Sequence, residues 1–460
     1  MREITVHDLA EAMGGTVLRG GGSISRLHTD TRTIRVGDCF VALSGENYDG
    51  HQYVIASAQG GAVAAVVSTV PEGDLPESFG LILVEAPLQA LQRYAGFYRK
   101  SLPVHVVGIT GSSGKTSTKE FIKSVLSQKF KTVATAGNLN NHIGVPLTLL
   151  SLEPETEWAV VEMGMNHPGE IEPLATMSAP DYGVITRVGQ AHIENFKNIQ
   201  GIAQEKSELL RALKSTGKAF IPAKDCFCSY LSGRTEASII YVGESNSSRW
   251  KAKEVQVTAQ GLDFLLEHDG RSVAVRLPLW NQVMITNALL AAAVGFEAGV
   301  SLEQIAWGLQ QVELPGQRMK VYRHEGAIWI NDSYNANPES MESAVDTLME
   351  IPFNGVRVAV LGSMGELGVQ AEMLHREIGS YAARHGVNQV VAVGPMAHSI
   401  AEGVRLVSES KTEVLTALDA AESIEILERS DLKRAVLVKG SRFMKLEKVV
   451  EHFTGQGGGH

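Results

Sequence analysis

The segment GITGSSGKTSTKEF, residues 108–121, holds the side chains most plainly arranged for chemistry. An apolar run ends there, Gly111, Ser112, Ser113 and Gly114 let the chain turn tightly, and Lys115, Thr116 and Ser117 open a helical pattern. Backbone amides at such a turn, with the positive end of the helix, can surround phosphate oxygens. Lys115 would offer a cation to the outer phosphates and Thr116 a hydroxyl to Mg²⁺. The strict phosphate-loop spacing is missed because position 109 is Ile, with Gly108 a residue too early. A bland glycine turn before a surface helix competes, but strand, loop, lysine, hydroxyl and helix in series favour nucleotide phosphate.

Other polar residues follow strand-like runs. Glu162 ends WAVVE, where a carboxylate can face the phosphate loop and bind Mg²⁺, or sit in a solvated turn. His192, in GQAHIENF, can give a ring nitrogen to a metal or hydrogen-bond within its loop. Lys206, in QEKSELL, reads by itself as a solvent-facing lysine on a helix. Asp332 and Asn335, in NDSYNANPESM, can meet a nucleotide hydroxyl and a substrate, with loop capping as the alternative. Arg318 can fork onto a phosphate or form a surface ion pair. Thr29, Asp30 and Arg32 make a mixed-charge loop suited to an anionic sugar or nucleotide.

The elements that must position these residues are α/β. Strand candidates at 104–110, 158–162 and 182–186 alternate with helical patterns at 115–130 and 202–213, which reads as a parallel sheet covered by helices. Further strands are expected at 329–330, 357–361, 389–393 and 435–438. A chain of 460 residues exceeds what one core normally supports, and three domains are expected at 1–100, 101–315 and 316–460. The net charge of -10, from 41 basic and 51 acidic side chains, argues against a nucleic-acid surface but leaves room for a local cationic cleft. Cys39, Cys226 and Cys228 form no metal framework; on a strand, the last two would share a face. Without an apolar signal core or a run long enough to span a membrane, the expected compartment is the cytoplasm; the chain is also expected to be a monomer.

Taken together, HTDTRTIRVGDCFVALSGENYDGH, GITGSSGKTSTKEF, TAGNLNNHIGVPLTLL, VVEMGMNHPGEIE, GQAHIENFKNIQGIAQEKSELL, NDSYNANPESM and AVLVKGSRFMKLEKVV resemble the D-alanyl-D-alanine-adding branch of the cytoplasmic Mur ligase family. The resemblance runs through nearly the whole chain in the family's order. It implies a first domain for a uridine nucleotide, a central P-loop-type ATPase domain, and a Rossmann-like C-terminal domain that closes on the active site. It also implies an ATP-dependent amide ligase of peptidoglycan precursor synthesis, using ATP and Mg²⁺. The expected reaction joins D-alanyl-D-alanine to the carboxylate of UDP-N-acetylmuramoyl-tripeptide through an acyl phosphate.

By the same resemblance, Thr29, Asp30, Arg32 and Asn47 belong to the substrate segment, with Asn138 and Asn141 approaching the substrates and Asn335 near the acceptor. Residues 111–117, Asn287, Arg318 and Asp332 would bind ATP. Thr116, Glu162 and His192 would hold metal, and Lys206 matches a carbamylated lysine that supports a second Mg²⁺. Lys115, His192 and Lys206 form the implied catalytic set. The family often has Gly-x-His-Asn where this chain has Asn281, Gln282, Val283 and Met284. A folylpolyglutamate-type ligase, or a different Mur-like ligase, shares the acyl-phosphate chemistry, and an ATP-controlled binding module is the nonenzymatic alternative.

Overall fold

Runs of β-branched and small apolar residues set up three large sheets, and polar turns that follow strands of the second and third gather at one large cavity. In the computed structural model, which describes residues 1–45, 48–245, 247–429 and 433–456, the first sheet has five strands. Their order is Thr16–Arg19, Gly80–Leu83, Ala64–Val67, Asp38–Val41 and Arg26–His28, and only the first pair is antiparallel.

The central sheet has nine strands. Thr132–Ala134, Trp158–Glu162, His105–Thr110, Tyr182–Ile185, Lys218–Pro222 and Ser238–Val242 lie parallel in that order. Strand His105–Thr110 therefore has later strands on both sides, a reversal of strand order of the kind that opens a crevice at the carboxyl ends. Register pairs Ile109 with Glu162, which brings that carboxylate beside the start of the phosphate loop.

The sheet is not purely parallel, as the sequence had suggested. Trp250–Thr258 joins through the single parallel pair Val242–Trp250, and Gly261–His268 and Arg271–Leu277 continue it antiparallel. These strands escape a search for continuous apolar runs because the first is largely exposed and the second alternates buried and half-buried residues.

The C-terminal sheet has six strands, parallel except for the edge hairpin formed by Lys320–His324 and Ala327–Asn331. Helix Val283–Glu297, buried from Ala288 to Val294, belongs to the same apolar cluster as Phe121, Ile122 and Val125 of helix Lys115–Leu126. Another cluster runs without a break from Val6, Leu9 and Ile82 through Tyr94 of helix Pro87–Lys100 to Leu149 and Leu174 beside the central sheet.

Cys226 is exposed and Cys228 starts the short helix Cys228–Ser232, so these thiols do not share a strand face. No helix among the described residues is long and apolar enough to cross a membrane.

Candidate active site

The phosphate loop is shaped by Gly114, whose φ of 79° lies in the left-handed region and turns the chain into helix Lys115–Leu126. Lys115 folds back so that Nζ donates to Gly111 O at 2.7 Å, across the place where a phosphate oxygen would sit. Burial lowers its pKa; Glu162 opposes this and Arg318 reinforces it. Ser113 O accepts from Thr186 Oγ1 at 2.5 Å, while buried Ser112 and Ser117 line the cavity.

Glu162 is 1% exposed. Its Oε1 accepts from Thr116 Oγ1 at 3.2 Å and from Asn140 Nδ2 at 2.8 Å, whereas Oε2 is buried without a partner. An ionised carboxylate oxygen left bare in a polar cavity is costly unless a cation meets it. With the Thr116 hydroxyl alongside, this oxygen-rich donor set fits a hard ion such as Mg²⁺.

His192 lines the same cavity, and its Nδ1 lies 2.5 Å from Glu366 Oε2 of the C-terminal unit. Lys206 is not the solvent-facing lysine its helical sequence suggested: on helix Ile199–Arg211 it is 1% exposed. Burial and then the nearby charge of Lys115 push its pKa far down, with only Glu205 opposing. Glu205 is itself committed, because its two oxygens accept from Gly169 N and Ile171 N at 2.8 Å each, at the start of helix Ile171–Ser178. Among the described residues, the Lys206 amine forms no ion pair.

The opposite wall comes from the C-terminal unit, and the cavity between them measures about 830 Å³. Arg318 stacks its guanidinium 3.9 Å from the centre of the Tyr334 ring and faces the cavity, rather than forming a surface ion pair. Asp332 is engaged at both oxygens: Oδ1 accepts from Met319 N at 3.0 Å and Oδ2 from Lys439 Nζ at 2.5 Å. Lys439, 2% exposed, also donates to Asn335 O at 2.9 Å and so fixes the loop carrying both residues. Asn335 Oδ1 caps Ala336 N.

Removing Lys439 would leave the Asp332 carboxylate without its cation. Lys439→Met is expected to destabilise the protein by about 3 kcal/mol. Adding Asp332→Asn should give less than the sum of the single losses, and denaturant unfolding of the three variants checks this.

Asn287 is buried against the loop, its Nδ2 donating to Met284 Sδ at 3.5 Å and its Oδ1 lying 3.1 Å from where a Cβ on Gly114 would be. Val283 and Met284, at the departure from the family pattern, give this part of the cavity an apolar lining. Asn281 instead accepts from Ser343 Oγ at 2.9 Å, across to the C-terminal unit.

Asn138 and Asn141 reach the cavity rim, where Asn141 Oδ1 also accepts from Ile143 N and Gly144 N at 3.1 and 2.9 Å. Thr29, Asp30 and Arg32 do not line the cavity. They lie in the first unit, where Asp30 caps a short 3-10 turn and pairs with exposed Arg32, which pulls its pKa down to about 2. Asn47 lies outside the described residues. Sequence reasoning missed Asn140, Glu205 and Lys439 as supports; the signal for Lys439 was a lone charge closing the apolar run AVLV.

Known proteins share this sequence and fold. The family described as "Mur ligase middle domain" matches residues 109–295, and "Mur ligase, glutamate ligase domain" matches residues 317–442. The UDP-N-acetylmuramoyl-tripeptide--D-alanyl-D-alanine ligase of Escherichia coli is 37% identical over 456 residues, covering 98% of each chain. A crystal structure of MurF from Acinetobacter baumannii superposes with a TM-score of 0.91 at 31% identity, covering 99% of this chain and 100% of that one. MurF ligase from Thermotoga maritima in complex with ADP gives a TM-score of 0.82 at 27% identity, covering 93% and 96%.

Proposed function

This chain belongs to the Mur ligase family, in the branch of UDP-N-acetylmuramoyl-tripeptide–D-alanyl-D-alanine ligases, and from that premise we propose how its own residues drive the reaction. It is an ATP-dependent carboxylate–amine ligase of peptidoglycan precursor synthesis. The observation that carries the reading of the site is the bare Glu162 Oε2 beside Thr116, at the mouth of a loop that holds Lys115.

The phosphates of ATP enter the loop, where backbone amides and Lys115 take their charge in place of Gly111 O. Arg318 reaches the same space from the C-terminal wall, and Asn287 supports the loop from behind. Thr116, Glu162 and His192 would hold Mg²⁺, which when bound neutralises phosphate charge and aligns the oxygens. A carboxylate oxygen of the tripeptide attacks the terminal phosphorus and the bond to ADP breaks, giving an acyl phosphate. The neutral amine of D-alanyl-D-alanine attacks that carbonyl, phosphate leaves, and the amine proton is lost. Asn138, Asn141 and Asn335 hold the reactants at the rim, while Thr29, Asp30 and Arg32 receive the uridine nucleotide end.

Lys206 serves as a carbamate. Burial disfavours its ammonium and so favours the neutral amine, the form that adds to carbon dioxide with loss of a proton, and the product is an anion that can face cations. One chain supplies both walls, so we assign activity to the monomer, in the cytoplasm where ATP is available.

The test is a product-mass and ADP-release assay with each component omitted in turn, and D-alanine set against D-alanyl-D-alanine. Pentapeptide product should require the complete mixture with the dipeptide; its absence from folded protein supplied with Mg²⁺ would reject the assignment.

A further inference from the structure

Glu339 is a cavity carboxylate to which the ligation chemistry gives no part. Glu339 sits in the first turn of helix Pro338–Glu350 in the C-terminal unit, and its Oε1 accepts from Gln190 N of the central unit at 2.9 Å. The segment it grips is knitted to the phosphate loop. Ser112 N donates to Arg187 O at 2.8 Å, Ser112 Oγ donates to Gly189 O at 2.9 Å, and Gly189 N donates back to Ser112 Oγ at 2.9 Å. Ser112 is buried, so these bonds are shielded from competing water.

Gly189 has no room for a side chain on this side. A Cβ there would lie 2.7 Å from Glu339 Oε1, and the nearest neighbours are all atoms of that one carboxylate group. Other contacts across the cleft, such as Ser343 to Asn281 and Glu366 to His192, fall on residues that neither bond to Ser112 nor adjoin one that does.

From these contacts we propose that Glu339 is a positioning residue that couples docking of the C-terminal unit to the state of the phosphate loop. By holding Gln190 it passes order from helix Pro338–Glu350 through Gly189 to Ser112. Filling the loop with nucleotide and closing the cavity therefore favour one another, and linkage makes the effect reciprocal. The proposal rests on the ligase reading of the cavity. It adds a carboxylate that acts through the backbone of another unit rather than on a substrate.

Gly189→Ala is an unusually clean probe. Only the mobile end of Glu339 opposes the new methyl group, so the variant should fold with an unchanged melting temperature while pushing the carboxylate off Gln190. Gly189→Ala and Glu339→Ala are each expected to lower kcat/KM for D-alanyl-D-alanine about 10-fold, the loss of one hydrogen bond to a charged group. The double variant should be no worse than Glu339→Ala, because the methyl group then has no carboxylate to displace. Glu339→Gln, whose amide oxygen can accept the same bond, should keep most of the activity.

Solution X-ray scattering with and without MgADP supplies a readout separate from turnover. Nucleotide should compact the wild type more than either single variant. Additive losses in the double variant, or equal compaction in all proteins, would overturn the coupling. A wild type that forms no pentapeptide from the complete mixture would instead remove the ligase reading, while scattering still scores the coupling.

Discussion

Lys115→Ala is expected to slow ADP release by about 10³-fold, the scale of removing a preorganised charge from a developing transition state. The Lys115 ammonium is anchored on Gly111 O in the loop it serves, so little reorganisation is needed when phosphate displaces that carbonyl. Arg318 also faces this point, but its stack on Tyr334 holds it at the C-terminal wall, where it meets the phosphates from the other side and does not replace the ammonium. Lys115→Arg should recover little, since a planar fork does not reproduce a point charge folded onto its own loop. Single-turnover measurement of ADP and trapped acyl phosphate separates the steps. Phosphoryl transfer should fail before amide formation, and an undiminished burst of acyl phosphate in Lys115→Ala would refute the assigned role.

Lys206→Met is expected to lower turnover by about 10²-fold or more while making the protein more stable. The two effects have opposite signs for one reason. An unpaired amine in a fully buried position is costly to the fold, and a thioether of similar length relieves that cost by about 1–4 kcal/mol. The same change removes the only atom that could carry the carbamate. Intact-protein mass should show the added carbon dioxide in the wild type, and bicarbonate depletion should lower its activity but not that of Lys206→Met. An active wild type with no such modification would end the proposal, as would a Lys206→Met variant that turns over normally.

Much of this site could be read in the sequence, because several of its parts are local. The phosphate loop is contiguous, and Glu162 closes an apolar run that reads as a strand and is one. Lys206 was different: flanked by Glu205, Ser207 and Glu208, it has the surroundings of a solvent-exposed helix face. Its burial depends on how that helix packs, and only the family resemblance had suggested another role. Lys439 and Asp332, 107 residues apart, meet because their strands are neighbours in one sheet, which no local pattern records. The strands from Trp250 to Leu277 were missed for their polarity, a consequence of lying toward the open edge of the sheet. Asn140 looked like one more asparagine in a polar loop until its amide was found on Glu162.

The apolar cluster shared by the first sheet and the flank of the central one limits how the molecule can work. A joint filled with leucine, isoleucine and tyrosine cannot swing without wetting its own interior, so the first two units act as one fixed anvil. In the closing cycle proposed above, the last unit, with its separate apolar clusters, is the hammer. A cycle with one moving part must admit both reactants and release all products through the same stroke. The frequency of that stroke sets an upper limit on throughput, however fast the bond-making becomes.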